Sequence, residues 1–176
     1  AREMLLNTID ACGRLQVRWI LVPITPGAGV DNAQVGRERW IEGVGGCAER
    51  AIDAGVILAL ENVGRGYAQS VEGLLTIAEG VRSPAVRVYY DYGNGLILGN
   101  DPVAEIEKLG AEWMTMLHAK DPGGDRLGEG GVNHASVVAA VRDIGYDGYT
   151  ILETPTTDDP LAAAAHNLAF LKEWFG

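Results

Sequence analysis

WMTMLHAKD, residues 113–121, is an apolar run that stops on a histidine and then turns charged. Its length and its mix of aromatic and aliphatic residues suit a buried strand. Four other runs share that character: WILVPI (19–24), VILAL (56–60), VRVYY (86–90) and YTIL (149–152). They are largely apolar rather than alternating, as expected of strands covered on both faces. Helix-like stretches separate them. GRERWIEGVGGCAERAIDAG (36–55) has near-helical apolar spacing, weakened by glycines. SVEGLLTIAEG (70–80) opens on a serine cap and closes on glycine, and DPVAEIEKLG (101–110) has an Asp cap, Pro at the first helical position and a glycine stop. NHASVVAAVRDIG (133–145) has an Asn cap and the same stop, and DPLAAAAHNLAFLKEWF (159–175) repeats the Asp-Pro opening. Strand alternating with helix predicts a parallel α/β architecture with right-handed crossovers. An open doubly wound sheet and a (β/α)8 barrel both fit.

The residues that follow the strands decide between them. VILAL is followed by Glu61, VRVYY by Asp91, WMTML by His118 and YTIL by Glu153, at separations of 30, 27 and 35 residues. Each spacing is about one βα unit. Each strand thus delivers a metal-ligand type of side chain at its C-terminal end, the face on which barrel active sites sit. Taken singly, each is as well read as a helix cap or a hydrogen-bonded structural residue. Together they set three carboxylates and an imidazole on one face, where like charges repel and burial strips hydration. A divalent cation resolves that conflict. Oxygen-rich ligation with one nitrogen favours Mn²⁺, Mg²⁺ or Co²⁺, with Zn²⁺ as a further candidate, over a thiolate-loving ion.

Composition bounds the rest. The chain has 176 residues, 47% of them hydrophobic, which suits one domain with a real core spanning residues 1–176. The formal net charge of −10 argues against a nucleic-acid partner, which needs a basic surface. No apolar run reaches the length of a membrane span, and AREMLLNTIDACGRL at the start has no basic-then-apolar leader pattern. Cys12 and Cys47 make neither a disulfide framework nor a zinc knuckle. A cytoplasmic chain is the expectation.

Five segments carry a family resemblance: ALEN (59–62), YYDYGN (89–94), HAKD (118–121), LGEGGVN (127–133) and GYDGYTILE (145–153). In this order, over roughly residues 14 to 175, the chain resembles the xylose isomerase-like barrel superfamily, in its sugar isomerase/epimerase branch. The resemblance implies an eight-stranded barrel and a metal held by Glu61, Asp91, His118 and Glu153. It implies a ketose or hydroxy-carbonyl substrate that chelates the metal through carbonyl and hydroxyl and reacts through an enediolate. Glu61 and Glu153, by the same likeness, remove and return the proton next to the carbonyl. Arg126 corresponds to an arginine that contacts substrate oxygens in related epimerases; the alternative is an ordinary surface arginine. Lys120 shares the strand face of His118 by alternation and is a second candidate for substrate. Asn94 stands where many sugar epimerases carry a histidine, which resembles the branch acting on ketose phosphates.

Other candidates are weaker. Glu129, in the G-E-G turn, reads as a loop-holding residue, and PGAG (26–29) lacks the lysine and spacing of a phosphate loop. His134 and His166 fall in predicted helices and read as structural or exposed. Trp19, Trp40, Trp113 and Trp174 read as packing residues. A full barrel needs about 250 residues. By resemblance the five units here are the last five, with the first three absent, so both sheet edges are expected to be exposed and to drive a homo-oligomer or strand-sharing assembly. The leading reading is a sugar or sugar-phosphate isomerase/epimerase. A dehydratase of keto-inositol or dehydroshikimate type, and a non-catalytic metal-binding fragment, are the alternatives; too few histidines and the acidic charge disfavour an abasic-DNA endonuclease.

Overall fold

The computed structural model describes residues 1–27 and 29–175; Ala28, inside the PGAG stretch, and Gly176 lie outside the described residues. The chain divides into two compact units, Ala1–Tyr90 and Asp91–Gly176. Among the described residues five strands alternate with helices, the incomplete (β/α)8 TIM-barrel type expected from the sequence.

The first unit opens with helix α1 (Arg2–Leu15), then β1 (Trp19–Pro23), α2 (Ala33–Ala54), β2 (Ile57–Glu61) and α3 (Val71–Val81), and ends in β3 (Val86–Asp91), whose last residue begins the second unit. β1 and β2 pair in parallel, Trp19 opposite Ile57 and Pro23 opposite Glu61. β2 and β3 do the same, Leu58 opposite Val86 and Glu61 opposite Tyr89. Leu58, Ala59 and Leu60 are fully buried, as a central parallel strand requires. The helices start where polar side chains satisfy their first N–H groups. Asn32 Oδ1 accepts from Gln34 N and Val35 N at the head of α2, and Ser70 Oγ accepts from Gly73 N at the head of α3. α3 turns Val71, Leu74, Ile77 and Ala78 inward, the spacing of one helical face.

Two loops that follow strands in this unit are fastened to each other. Tyr67 Oη donates to Val30 O at 2.7 Å and accepts from Gly27 N at 2.8 Å, and Arg37 Nη1 donates to Tyr67 O at 3.1 Å. A Cβ at Gly36 would run into the Tyr67 ring, so the glycine lets α2 pass beneath it.

The second unit holds α4 (Tyr92–Ile97), α5 (Pro102–Trp113), β4 (Met114–Ala119), α6 (His134–Asp143), β5 (Tyr149–Leu152) and α7 (Pro160–Phe175). β4 and β5 are parallel, His118 opposite Ile151. Asp101 Oδ1 caps α5 through Val103 N with Pro102 behind it, and Asn133 Oδ1 caps α6 through Ser136 N. The glycine stop read at residue 110 is a kink: Gly110 has φ 64° and ψ 166°, and helical turns resume to Trp113. Trp113 therefore belongs to the helix rather than to the strand.

At the edges the expected exposure is found, and the expected cover on both faces is not. β5 is not covered on both faces: Tyr149 is 60% and Ile151 37% exposed. In β1, Leu21 is 42% exposed. Each of these strands has one parallel neighbour in its own unit, which leaves half of its surroundings to solvent. Among the described residues no helix is long and apolar enough to cross a membrane.

Candidate metal centre

Asp91 ends β3, which fixes its carboxylate at the strand's C-terminal rim. It also begins α4, and Oδ1 accepts from Asn94 N at 2.8 Å. His118, on β4, is 7% exposed, and its Nδ1 lies 3.8 Å from Asp91 Oδ2 and 3.2 Å from Glu153 Oε2. Glu153 follows β5 directly, and its N–H donates to Ala119 O at 3.0 Å, which extends the ladder by one residue and holds the side chain at the rim. These three side chains each offer one ligand atom, all within 4.8 Å of one another. Strand geometry places Lys120 on the side of His118. Its Nζ lies 2.8 Å from Glu153 Oε1, 3.5 Å from Asp91 Oδ2 and 3.0 Å from Asn94 Oδ1.

Glu61 ends β2 in the first unit and is 5% exposed. Its register partner is Tyr89, two residues before Asp91 on the same strand. Register partners in a parallel pair project to the same face, and so do alternate residues of one strand. Glu61 therefore projects to the same side of the first unit's sheet as Tyr89. Arg126 lies half-buried in the loop after β4, and its carbonyl accepts from Glu129 N at 3.2 Å.

The two carboxylates beside His118 sit in unlike surroundings. Asp91 is fully buried, and burial pushes its carboxyl up to about 6, against the pull of the Asn94 N–H and the Lys120 charge. Burial also pushes Glu153 up, but the hydrogen bond and charge of Lys120, with His118 behind them, outweigh it and hold the carboxyl below its usual range. A proton shared by this pair rests on Asp91. The donor set fits a hard divalent cation: carboxylate oxygens and one imidazole, with a buried acid whose charge needs an opposite charge nearby.

The charged loop after β4 has its own organiser, Asp121. It is 4% exposed. Oδ2 accepts from Gly128 N at 2.8 Å, Gly130 N at 3.1 Å and His134 Nε2 at 3.0 Å, and Oδ1 accepts from Val132 N at 3.0 Å. Burial alone would raise this carboxyl; His134 and the three N–H groups reverse the sign and hold it below its usual range. His134 Nδ1 meets Tyr92 Oη at 3.4 Å, and its ring packs edge-on against Phe170 at 4.8 Å. His166 Nε2 donates to Leu127 O, and the buried Asn167 accepts from Leu127 N, both at 2.9 Å. The structural roles read for His134 and His166 are thus realised. The loop-holding role read for Glu129 belongs instead to Asp121 and Asn167, because Glu129 is exposed and cannot converge N–H groups from inside the loop. Five glycines between residues 123 and 131 were the available signal, since their closely spaced N–H groups need an acceptor.

Asp121→Ala removes that acceptor and leaves a buried imidazole and three N–H groups without it. The expected cost is about 3 kcal/mol. For a chain of this size that is a fall in Tm of roughly 6–12 °C. Thermal and urea unfolding check it, and a loss below about 1 kcal/mol contradicts the account of the loop.

Comparison with known proteins adds a family and several relatives. A family model described as xylose isomerase-like TIM barrel matches residues 1–174. SgbU of Escherichia coli (strain K12), named "Putative L-ribulose-5-phosphate 3-epimerase", is 29% identical over 164 residues, which are 87% of this chain and 57% of that protein. Protein MJ1311 of Methanocaldococcus jannaschii is 31% identical over 136 residues, 72% of this chain and 45% of that protein. The chain spans about half the length of these relatives. The crystal structure of a D-allulose 3-epimerase from a Methylomonas species, in complex with D-allulose, superposes with a TM-score of 0.87 at 19% identity, over 98% of this chain and 68% of that one. That likeness shows the fold.

Proposed function

The chain belongs to the xylose isomerase-like TIM barrel family, and from that premise we propose that it carries the metal centre of an epimerase or isomerase of a ketose or ketose phosphate. The single observation behind this reading is the meeting of Asp91, His118 and Glu153 at consecutive strand ends, each with a ligand atom within 4.8 Å of the others. Glu61 is the fourth ligand of the proposal, buried at the end of its own strand. Mn²⁺, Mg²⁺ and Co²⁺ suit the set, and Zn²⁺ is tolerated by it. Bound there, such an ion polarises a carbonyl and its neighbouring hydroxyl as a Lewis acid.

The remaining work falls to side chains. Glu153, which Lys120 and His118 hold ionised before the ion binds, accepts or returns the proton at the carbon beside the carbonyl. Glu61 serves the opposite transfer. Lys120, Asn94 and Arg126 contact the substrate's oxygens, and the 3.0 Å bond from Lys120 Nζ to Asn94 Oδ1 orients the amide for that purpose. The relative named as a ketose-phosphate epimerase and the asparagine at position 94 both favour a phosphorylated ketose. The activity belongs to the whole protein, in which the exposed edges of β1 and β5 are covered by further strands or by a second copy. Soluble sugar metabolism in the cytoplasm is the proposed setting.

Deuterium uptake tests the reading. The protein, with Mn²⁺, is incubated in deuterated water with a panel of ketoses and ketose phosphates, and exchange next to the carbonyl is followed by NMR. Metal-dependent exchange in at least one sugar is expected. A full-length protein that exchanges none, and binds none, removes the epimerase reading.

A further inference from the structure

We propose that Lys120 is a tethered counter-cation: its ammonium competes with the divalent ion for Asp91 and Glu153, and it turns to substrate oxygens when the ion takes those carboxylates. The proposal rests on the metal-centre reading above and adds an order to it, ion first and substrate second.

Three observations carry it. The first is shared partners. Nζ lies 2.8 Å from Glu153 Oε1 and 3.5 Å from Asp91 Oδ2, and both carboxylates belong to the proposed ligand set. A carboxylate oxygen that accepts from an ammonium has less to give a metal, and a divalent ion at about 2.0–2.6 Å from the same oxygens repels an ammonium beside it. The second is a built seat. A Cβ added at Gly93 would lie 2.7 Å from Lys120 Cβ and 2.8 Å from Cγ, so α4 carries a glycine where the lysine stem passes. Glycine inside a helix costs stability. Its use here places the stem. The third is a way out. The Lys120 side chain is 25% exposed, whereas that of Asp91 is wholly enclosed. Asn94 Oδ1, at 3.0 Å, is a neutral second acceptor on which the ammonium can pivot while it leaves the carboxylates.

Two consequences separate this from a plain surface ion pair. Ion affinity includes the work of displacing Lys120, so the centre binds less tightly than its donors alone would allow. The displaced ammonium then presents a positive charge to an electron-rich oxygen of the substrate. That charge is aimed at a site which the ion has just completed.

The test uses the full chain, stripped with EDTA and dialysed, with Lys120→Met, Lys120→Arg and, as a charge control away from the centre, Lys172→Met. Free Mn²⁺ is titrated by EPR, and thermal unfolding is followed in EDTA. Lys120→Met keeps the stem and loses the charge. It is expected to bind Mn²⁺ about tenfold more tightly than the wild type and to melt lower in EDTA. Lys120→Arg and Lys172→Met are expected to stay within about threefold of wild-type affinity. Failure of either Lys120→Met result overturns the proposal: affinity unchanged or weaker, or an unaltered melting temperature in EDTA. If the wild type itself takes up no Mn²⁺, the metal centre falls and this proposal with it. If the wild type binds and Lys120→Met binds no more tightly, the centre stands and only the role of Lys120 is lost.

Discussion

Asp91→Asn is expected to make the protein more stable without metal and unable to hold it. Burial raises this carboxyl from 3.8 to about 6, so the folded chain keeps the proton more tightly than the unfolded chain does. The contribution favours folding below about pH 3.8 and is lost as pH rises through about 6, where the fold must bury a charge. At neutral pH the shift of roughly two units corresponds to about 3 kcal/mol. Asparagine removes that charge and keeps an oxygen to accept from Asn94 N, so the cap of α4 survives. In EDTA near neutral pH, Tm should rise by roughly 6–12 °C. The gain should shrink steadily towards pH 4. Mn²⁺ uptake should fall by at least a hundredfold, since a charged ligand is replaced by a neutral one. A variant that melts below the wild type in EDTA contradicts the account of Asp91. The same proton governs ion binding in the wild type: Mn²⁺ affinity should drop between about pH 7 and pH 5 as Asp91 takes it up.

Glu153→Gln should abolish proton exchange while leaving a folded, metal-binding protein. The carboxamide keeps an oxygen that can accept from Lys120 and touch the ion, but it cannot carry a proton. General acid–base catalysis contributes about 10²–10⁴-fold, and the loss of deuterium exchange should lie in that range. Ion affinity should weaken by a smaller factor, and Tm should change little because the Glu153 side chain is 44% exposed. Lys120 loses its closest anionic partner in this variant, so the spacing of exchange and affinity separates a proton carrier from a mere ligand. Wild-type exchange rates in Glu153→Gln would rule out its part in proton transfer.

The strand ends were legible because the signal there is a change of chemistry. Apolar runs rich in β-branched and aromatic residues stop on Glu61, Asp91, His118 and Glu153, and helix caps at Ser70, Asp101 and Asn133 mark the next element, whereas the cap at Asn32 went unread. What escaped depended on partners distant in sequence. Asp121 reads as one more loop acid until three backbone N–H groups and His134 are seen around it. α1 packs little of itself away, with Ile9 its one buried residue among those described. α4 is six residues with two glycines, which propensity disfavours; Asp91 starts it from the strand before. The exposure of Tyr149 and Ile151 follows from the count of strands, five where a closed barrel needs eight, and not from the apolar pattern of YTIL, which by itself reads as a strand covered on both faces. Arg126 stays where the sequence left it, in the loop after β4, with its guanidinium's role resting on resemblance.

The most direct test of the central claim is anomalous diffraction at the manganese edge from crystals of the protein soaked in Mn²⁺. The account predicts one strong peak within about 2.0–2.6 Å of carboxylate oxygens of Asp91, Glu153 and Glu61 and a nitrogen of His118. No peak among these residues, or a peak elsewhere with these side chains bonded only to one another and to Lys120, would show that the strand ends form an ion-pair cluster and not a metal centre.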